Sequence, residues 1–402
     1  MDDLEDTRLQ GFLDGLGEIL GNSGRRASFA KYAIGLLGEG DRKSMEPIAM
    51  RWCDGVEHAD AAHQRVNHFI TNSDWCDRGV RQYASRYAIG EMIRAGPINS
   101  WIIDDTGFLK QGVHSVGVQR QYTGSAGKIA NCQLGVSLVV ATAHDHLPID
   151  FELYLPTSWA NDPVRRLEAR IPEDVVFQTK IQLAIGLLRK AAADEVPRGV
   201  LLADAWYGDE PSFRQAAEEL GLDYAVGVKS DNRVWLVDSR GRRNGAPITV
   251  AELAERLGPK AFRRFTWREG TSEKLSARFA FATVVPAYRA DDDPATRPKV
   301  RLVIERSDSE EKLKFAFVKI LESLSKKKLI RVLKDRWRIE RTYEDLKGEL
   351  GLDHFEGRRY RGWHHHVTIS LACYAFTVAE RARLFPPARR GKTHDNPFVR
   401  AA

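Results

Sequence analysis

The chain has 402 residues, a formal charge of +6, 43% hydrophobic and 29% charged residues. That length exceeds one ordinary core and calls for two or three domains, while the composition excludes a disordered chain. The positive balance favours a polyanionic partner but is too modest to identify one. Several further classes are not expected. The acidic start Met1-Asp2-Asp3-Leu4-Glu5-Asp6 lacks the apolar stretch of a signal peptide. The apolar run from Val367 to Ala379 falls short of the ~20 residues that span a bilayer. Cys53, Cys76, Cys132 and Cys373 form no CxxC pair, which argues against a zinc knuckle or a disulfide framework and makes the reducing cytoplasm the expected setting.

Residues 1–95 are expected to form a helical N-terminal domain. Leu9, Phe12, Leu13, Leu16 and Ile19, then Phe29, Tyr32, Ala33 and Leu36, recur at three-to-four spacing. Ala95-Gly96-Pro97 is a turn signal, and residues 96–229 change texture after it. Strands are expected over Ser100 to Asp104, Val113 to Tyr122 and Cys132 to Thr142. A helix from Thr179 to Ala193, a buried strand from Gly199 to Ala205, a helix from Pro211 to Leu220 and a strand from Tyr224 to Val228 follow. The order β-β-β-α-β-α-β is that of an α/β (α+β) ribonuclease H-like core that still lacks its closing helix. Residues 230–319 intervene, with β-rich pieces such as Val234 to Val237, Arg278 to Val285, Val300 to Glu305 and Lys314 to Val318, and are expected to be an inserted subdomain. Residues 320–385 should supply the closing helices, one charged from Lys326 to Leu350 and one apolar from Val367 to Arg383. Residues 386–402 should be a flexible basic tail.

Two acids end strands of this core. Asp104 closes Trp101-Ile102-Ile103, and the alternation of side chains puts it and Asp105 on opposite faces, so only one of them faces a site. Asp204 follows Leu201-Leu202-Ala203. A lone Asp there is more often a turn residue or helix N-cap. In this topology, however, the first and fourth strands are neighbours, and two carboxylates at their ends repel unless a cation lies between them. The closing helix should supply a third acid. Arg336, Glu340 and Lys347, spaced four and seven apart, share one helical face, although Glu344 competes with Glu340 and a solvated face of ordinary ion pairs would look the same. Carboxylate oxygens suit Mg²⁺ or Mn²⁺ rather than zinc. Two such ions roughly 3.5–4 Å apart would serve phosphodiester cleavage and transfer.

Positive charge is clustered in Lys326, Lys327, Lys328, Arg331, Lys334, Arg336, Arg338 and Arg341, and again in Arg381, Arg383, Arg389, Arg390, Lys392 and Arg400. Such clusters are candidate phosphate-binding surfaces. Arg120, between Gln119 and Gln121 near a hairpin end, is a candidate DNA contact or a solvated turn residue. His364, His365 and His366 would point in three directions from one helix, which suits a polar structural boundary and not a metal site.

The chain resembles bacterial insertion-sequence transposases of the DDE type, in the branch with a β-rich insertion before the catalytic Glu. The resemblance is carried by the segment from Ile103 through Asp104-Asp105-Thr106-Gly107-Phe108-Leu109-Lys110 to Gly112, by His114 to Tyr122, by Ala203-Asp204-Ala205-Trp206-Tyr207-Gly208 and by Arg336-Trp337-Arg338-Ile339-Glu340. The family's closing-helix signature, Tyr-x2-Arg-x3-Glu-x6-Lys, is met at Arg336, Glu340 and Lys347, with Leu333 where Tyr is expected. That spacing selects Glu340 over Glu344. Asp104 is preferred to Asp105 because similar sequences often carry Glu at the second place. The resemblance implies a DNA transposase with catalytic, metal-binding Asp104, Asp204 and Glu340 and two Mg²⁺ (or Mn²⁺) ions. It would hydrolyse phosphodiesters at element ends and transfer strands into target DNA. Arg336 and Lys347 would hold phosphates, and Trp235 or Trp267 would stack on a flipped base unless they merely pack in the core. The implied partners are double-stranded DNA, with its terminal inverted repeats read by the N-terminal domain, and a second copy of the chain in a synaptic homodimer, with no membrane. The implied location is cytoplasmic, at the nucleoid when acting. The rival expectations are a nuclease without strand transfer and a catalytically silent DNA-binding regulator.

Overall fold

Ser100–Leu109 (β1) opens with Trp101, Ile102 and Ile103, none of which reaches solvent, a run that suits a strand covered on both faces. The computed structural model describes residues 3–53, 55–238, 243–269, 274–287, 298–308, 312–320 and 324–386. They fall into two compact units, and β1 contributes to both.

Of the described residues, one unit holds those up to Ile98, Asp104–Glu195 and those from Arg338 to the end of the last helix. Its strands are the second half of β1, Gln119–Thr123 (β2), Lys128–Ala141 (β3) and His146–Tyr154 (β4), and β3 pairs antiparallel with both β2 and β4. The helix Lys180–Ala193 begins at a capping box in which Thr179 and Gln182 satisfy each other's backbone N–H groups, and it buries Leu183, Ala184, Leu187, Leu188 and Ala191. The N-terminal helices belong to this same unit. The helix Asp77–Ala95 packs along the last helix, Tyr360–Leu384. Arg81 is buried where they meet β4, 2.7 Å from Asp77, 2.8 Å from Asp150 and 2.7 Å from Thr368.

The other unit holds Asn99–Ile103 and Val196–Trp337. Its strands are the start of β1, then Val200–Ala203 (β5), Tyr224–Val228 (β6), Arg233–Val237 (β7), Arg243–Thr249 (β8), Arg263–Glu269 (β9), Lys274–Pro286 (β10), Val300–Arg306 (β11) and Lys314–Lys319 (β12). β1, β5 and β6 run parallel, and β12 then adds antiparallel to β6 and is followed by β11, β10, β7 and β8. β9 also pairs with β10. The β-rich stretch therefore continues the sheet that β5 and β6 begin. This mixed α/β architecture agrees with the ribonuclease H-like class expected from the sequence.

Three local expectations are corrected. The strand expected over Val113 to Tyr122 is confined to Gln119–Thr123, and β4 was not foreseen. Pro148, Asp150 and Glu152 lower the strand propensity of β4, but Arg81 and Lys190 neutralise the two acids while Phe151 and Leu153 pack on the core. The single helix expected from Lys326 to Leu350 is two helices, Lys326–Lys334 and Trp337–Gly348. At roughly 100° per residue, Leu329, Ile330 and Val332 lie about a quarter turn from Ile339, Tyr343 and Leu346, so the two helices bury faces that differ in phase. The basic residues Arg389, Arg390, Lys392 and Arg400 of the expected tail lie outside the described residues.

His364, His365 and His366 are buried in the last helix rather than at a polar boundary. The His365 ring stacks on Trp75 at 3.7 Å, and His366 shares a 2.9 Å hydrogen bond with the Tyr32 hydroxyl. Burial pulls both imidazoles down to about 4 from their ordinary 6.5. Between those values the unfolded chain binds more protons than the folded one, so stability is present above the unfolded pKa and is lost as the pH falls toward the folded one. The urea midpoint should drop by the equivalent of a few kcal/mol between about pH 7 and about pH 5. His366→Gln should flatten the slope; a profile equally steep with and without His366 would contradict this assignment.

Candidate active site

The parallel register of β1 and β5 sets Ser100 beside Val200 and Ile102 beside Leu202. Each chain then runs two residues further, one to Asp104 and the other to Asp204.

Asp204 caps the short helix Ala205–Gly208. Its Oδ1 accepts the N–H groups of Trp206 at 2.9 Å and Tyr207 at 3.4 Å. The modest role weighed for this residue is thus real, and it occupies one carboxylate oxygen.

Asp104 and Asp105 part company as the alternation requires. Asp105 Oδ2 lies 2.7 Å from Lys180 Nζ, on the side of the sheet covered by the helix Lys180–Ala193. Asp104 Oδ1 accepts the Asp105 N–H at 2.8 Å. The face of β1 to which Asp104 belongs is marked by Thr106 and Phe108. Lys347 Nζ donates to Thr106 Oγ1 at 2.8 Å, to the Gly107 carbonyl at 2.8 Å and to Ser125 Oγ at 3.2 Å. Phe108 meets Phe151 and Trp363 edge-on. Asp104 therefore shares its face with the contacts of the helix Trp337–Gly348, while Asp105 serves the opposite one. Burial lowers the Lys347 pKa from its ordinary value.

On that helix Arg338, Ile339, Thr342, Tyr343 and Leu346 are buried, and Glu340 and Glu344 are exposed. Glu340 lies only about 20° around the axis from Lys347, whereas Glu344 lies about 60° away and contacts Arg341 at 3.3 Å. Arg336 stands ahead of the helix, so the three-residue face read from spacing reduces to Glu340 and Lys347. Arg338 and Lys334 turn out to have structural work: Arg338 donates to the Ala143 carbonyl at 2.8 Å, and Lys334 lies 2.5 Å from Glu305.

The other sequence candidates are scattered. Arg120 is exposed on β2 opposite Asn131. Trp235 is half-buried in β7 opposite Val285. Trp267 meets Phe279 edge-on at 6.0 Å, with Lys334 Nζ over its ring at 4.7 Å, a packed environment. Trp206, two residues after Asp204, is 54% exposed, with Lys229 Nζ 5.7 Å from its ring. Periodicity could not reveal it, since a single aromatic after a strand reads equally well as core.

Among the described residues, no group of three or more His, Cys, Asp or Glu side chains is arranged to hold a metal ion, and no helix is long and apolar enough to cross a membrane. A family model described as DDE superfamily endonuclease matches residues 15–274. The chain belongs to that family. A second model, described as Transposase DDE domain, matches residues 178–376. The chain is also similar to a protein of Microchaete diplosiphon described as "Probable transposase for insertion sequence element IS701", with 27% identity over 211 residues, which are 52% of this chain and 50% of that protein. The match thus spans half the length of the relative. Membership in the DDE superfamily implies dependence on a divalent metal.

Asp105→Asn removes the charge that Lys180 meets in a setting where the two side chains are only 17% and 19% exposed. Stability should fall by about 1–3 kcal/mol, read as a lower denaturant midpoint at unchanged slope. An unchanged midpoint would show that the pair is not structural.

Proposed function

We propose that this DDE endonuclease is a DNA transposase in which Asp104, Asp204 and Glu340 are the catalytic, metal-binding carboxylates. The observation that supports the proposal is the β1–β5 register, in which Ile102 and Leu202 pair two residues before Asp104 on β1 and Asp204 just past β5. Asp104 is favoured over Asp105 because Asp105 is committed to Lys180 and belongs to the other face. Glu340 is favoured over Glu344 because it lies on the side of its helix that carries Lys347.

Carboxylate oxygens are the donors a hard divalent cation prefers, although among the described residues no three such side chains are grouped to hold one. Two Mg²⁺ or Mn²⁺ ions, held by Asp104, Asp204 and Glu340, would supply activation of a hydroxyl nucleophile and charge neutralisation at the leaving oxygen. In the first step the oxygen of water bonds to the phosphorus at an element end and the P–O3′ bond breaks, leaving a 3′-hydroxyl. In the second, that hydroxyl attacks a phosphodiester of the target and displaces its 3′-oxygen. Arg336 would hold a flanking phosphate in bidentate fashion. Lys347, whose ammonium protons are directed to Thr106, Gly107 and Ser125, would instead keep β1 in place beside Asp104. Arg120 and the exposed Lys326, Lys327, Lys328 and Arg331 would contribute charge toward duplex DNA. Recognition of terminal inverted repeats by the N-terminal helices, a homodimer in the synaptic complex and action at the nucleoid complete the proposal.

The test uses purified protein, Mg²⁺ or Mn²⁺, a linear duplex bearing the DNA that borders the gene, and a supercoiled target. Wild-type protein should give 3′-hydroxyl cleavage products and joined products. Asp104→Asn, Asp204→Asn and Glu340→Gln should each lower both by about 1000-fold or more. Glu344→Gln should stay within about threefold of wild type, as should Asp105→Asn below its melting temperature. Cleavage without joining would assign a nuclease, and no cleavage by wild type would overturn the proposal.

A further inference from the structure

The helix Trp337–Gly348, which carries Glu340 and Lys347, ends in a socket built partly from N-terminal residues. Gly351 takes the left-handed conformation at φ +60°, and the Leu352 N–H reaches back to the Leu346 carbonyl at 3.0 Å, with both leucines buried. A glycine in that conformation is a common way for a helix to stop, and it leaves further carbonyls that need donors. Those donors come from far along the chain. Lys43 Nζ donates to the Glu349 carbonyl and, at 2.6 Å, to the Leu36 carbonyl in the last turn of the helix Ser23–Leu37. His366 Nε2 lies 3.1 Å from the Gly351 carbonyl and 3.2 Å from the Leu352 carbonyl. A carbonyl can only accept, so Nε2 carries the imidazole proton and Nδ1 accepts from the Tyr32 hydroxyl at 2.9 Å.

The loop that holds Lys43 is pressed against this end. The Lys43 N–H donates to His354 Nδ1 at 3.1 Å, and a Cβ on Gly351 would come within 2.7 Å of both Lys43 Cβ and His354 Nδ1. Lys43 itself is only 7% exposed. A buried lysine is a costly way to fill space, whereas an ammonium shared between the negative ends of two helices fixes their separation. One of those helices belongs to the N-terminal region and the other bears Glu340, and both lie in the compact unit that also holds Asp104. A short helix moves as a stiff rod, so the place where its end is held decides where Glu340 stands. A displacement of about 1 Å in a reacting group can cost roughly 100-fold in rate.

We propose that Lys43 is a positioning residue for the reaction. By tying the end of the helix Trp337–Gly348 to the helix Ser23–Leu37, it sets the place of Glu340 and makes the N-terminal helices part of the catalytic frame. The proposal rests on the reading of Glu340 as a catalytic carboxylate.

The test uses full-length protein. Lys43→Met keeps the length of the side chain and removes its donors. Without metal, the amides of residues 345–352 should exchange hydrogen about tenfold or more faster in this variant, while those of the helix Lys180–Ala193 keep their rates. With Mg²⁺ and a duplex of the DNA bordering the gene, kcat for cleavage should fall about tenfold or more while KM stays within about threefold. Lys43→Arg, which keeps the charge, should restore most of both. Tyr32→Phe, which removes only the hydroxyl bound to His366, should shift both in the same direction by a smaller factor. Val80→Ala, which opens a fully buried site in the helix Asp77–Ala95, should lower the melting temperature and leave kcat within about twofold of wild type below it. Exchange or kcat in Lys43→Met equal to wild type overturns the proposal, as does a fall in kcat just as deep in Val80→Ala. Should Lys43→Met fail to fold, wild-type exchange and kcat in Tyr32→Phe overturn it instead. Wild type that never cleaves overturns the Glu340 reading, and faster exchange in Lys43→Met would then still support the tie between the two helices.

Discussion

Trp101 and Ile102 of β1 lie beside Leu201 and Leu202 of β5, all with essentially no exposure, and this buried parallel pairing fixes where the two chains deliver their next residues. A slip of one residue would turn every side chain of β1 to the other face, sending Asp105 where Asp104 belongs. The apolar cost of such a slip is large, since it would misplace Phe108 from its contacts with Phe151 and Trp363 as well. The register thus ties hydrophobic packing to the placement of carboxylates.

The acids of the molecule divide by the company they keep. Asp77 and Asp150 share Arg81, Glu152 meets Lys190, and Asp105 meets Lys180. For Asp77, burial pushes the pKa up, but the Arg81 guanidinium and His364 pull it well below the ordinary carboxylate range. These are structural charges, each held by a side-chain cation. Asp204 takes its hydrogen bonds from backbone N–H groups of a turn that two glycines press onto β6. The fold itself positions this carboxylate.

Much of this was legible in the chain because buried strands carry their own signature. Leu201-Leu202-Ala203-Asp204 reads as a covered strand followed by an acid, and it is, whereas the strand expected to end at Asp104 continues to Leu109. β4 escaped because the polar half of its alternation includes two acids whose cations come from distant helices, information that local propensity does not hold. The break before Trp337 escaped because the change in helical phase matters only when the partners of each face are known. Lys347 was legible as a cation on the correct face, but its engagement with Thr106, Gly107 and Ser125 depends on a hairpin more than two hundred residues earlier.

The central claim, that Asp104, Asp204 and Glu340 hold divalent metal, is tested most directly by iron-directed backbone cleavage. Fe²⁺ is bound in place of Mg²⁺, and ascorbate with peroxide releases radicals that cut the chain near the ion. The account predicts fragments ending near residues 104, 204 and 340, suppressed together by excess Mg²⁺ and by Asp204→Asn. Cutting elsewhere, or cutting at these positions that Asp204→Asn leaves intact, would contradict it.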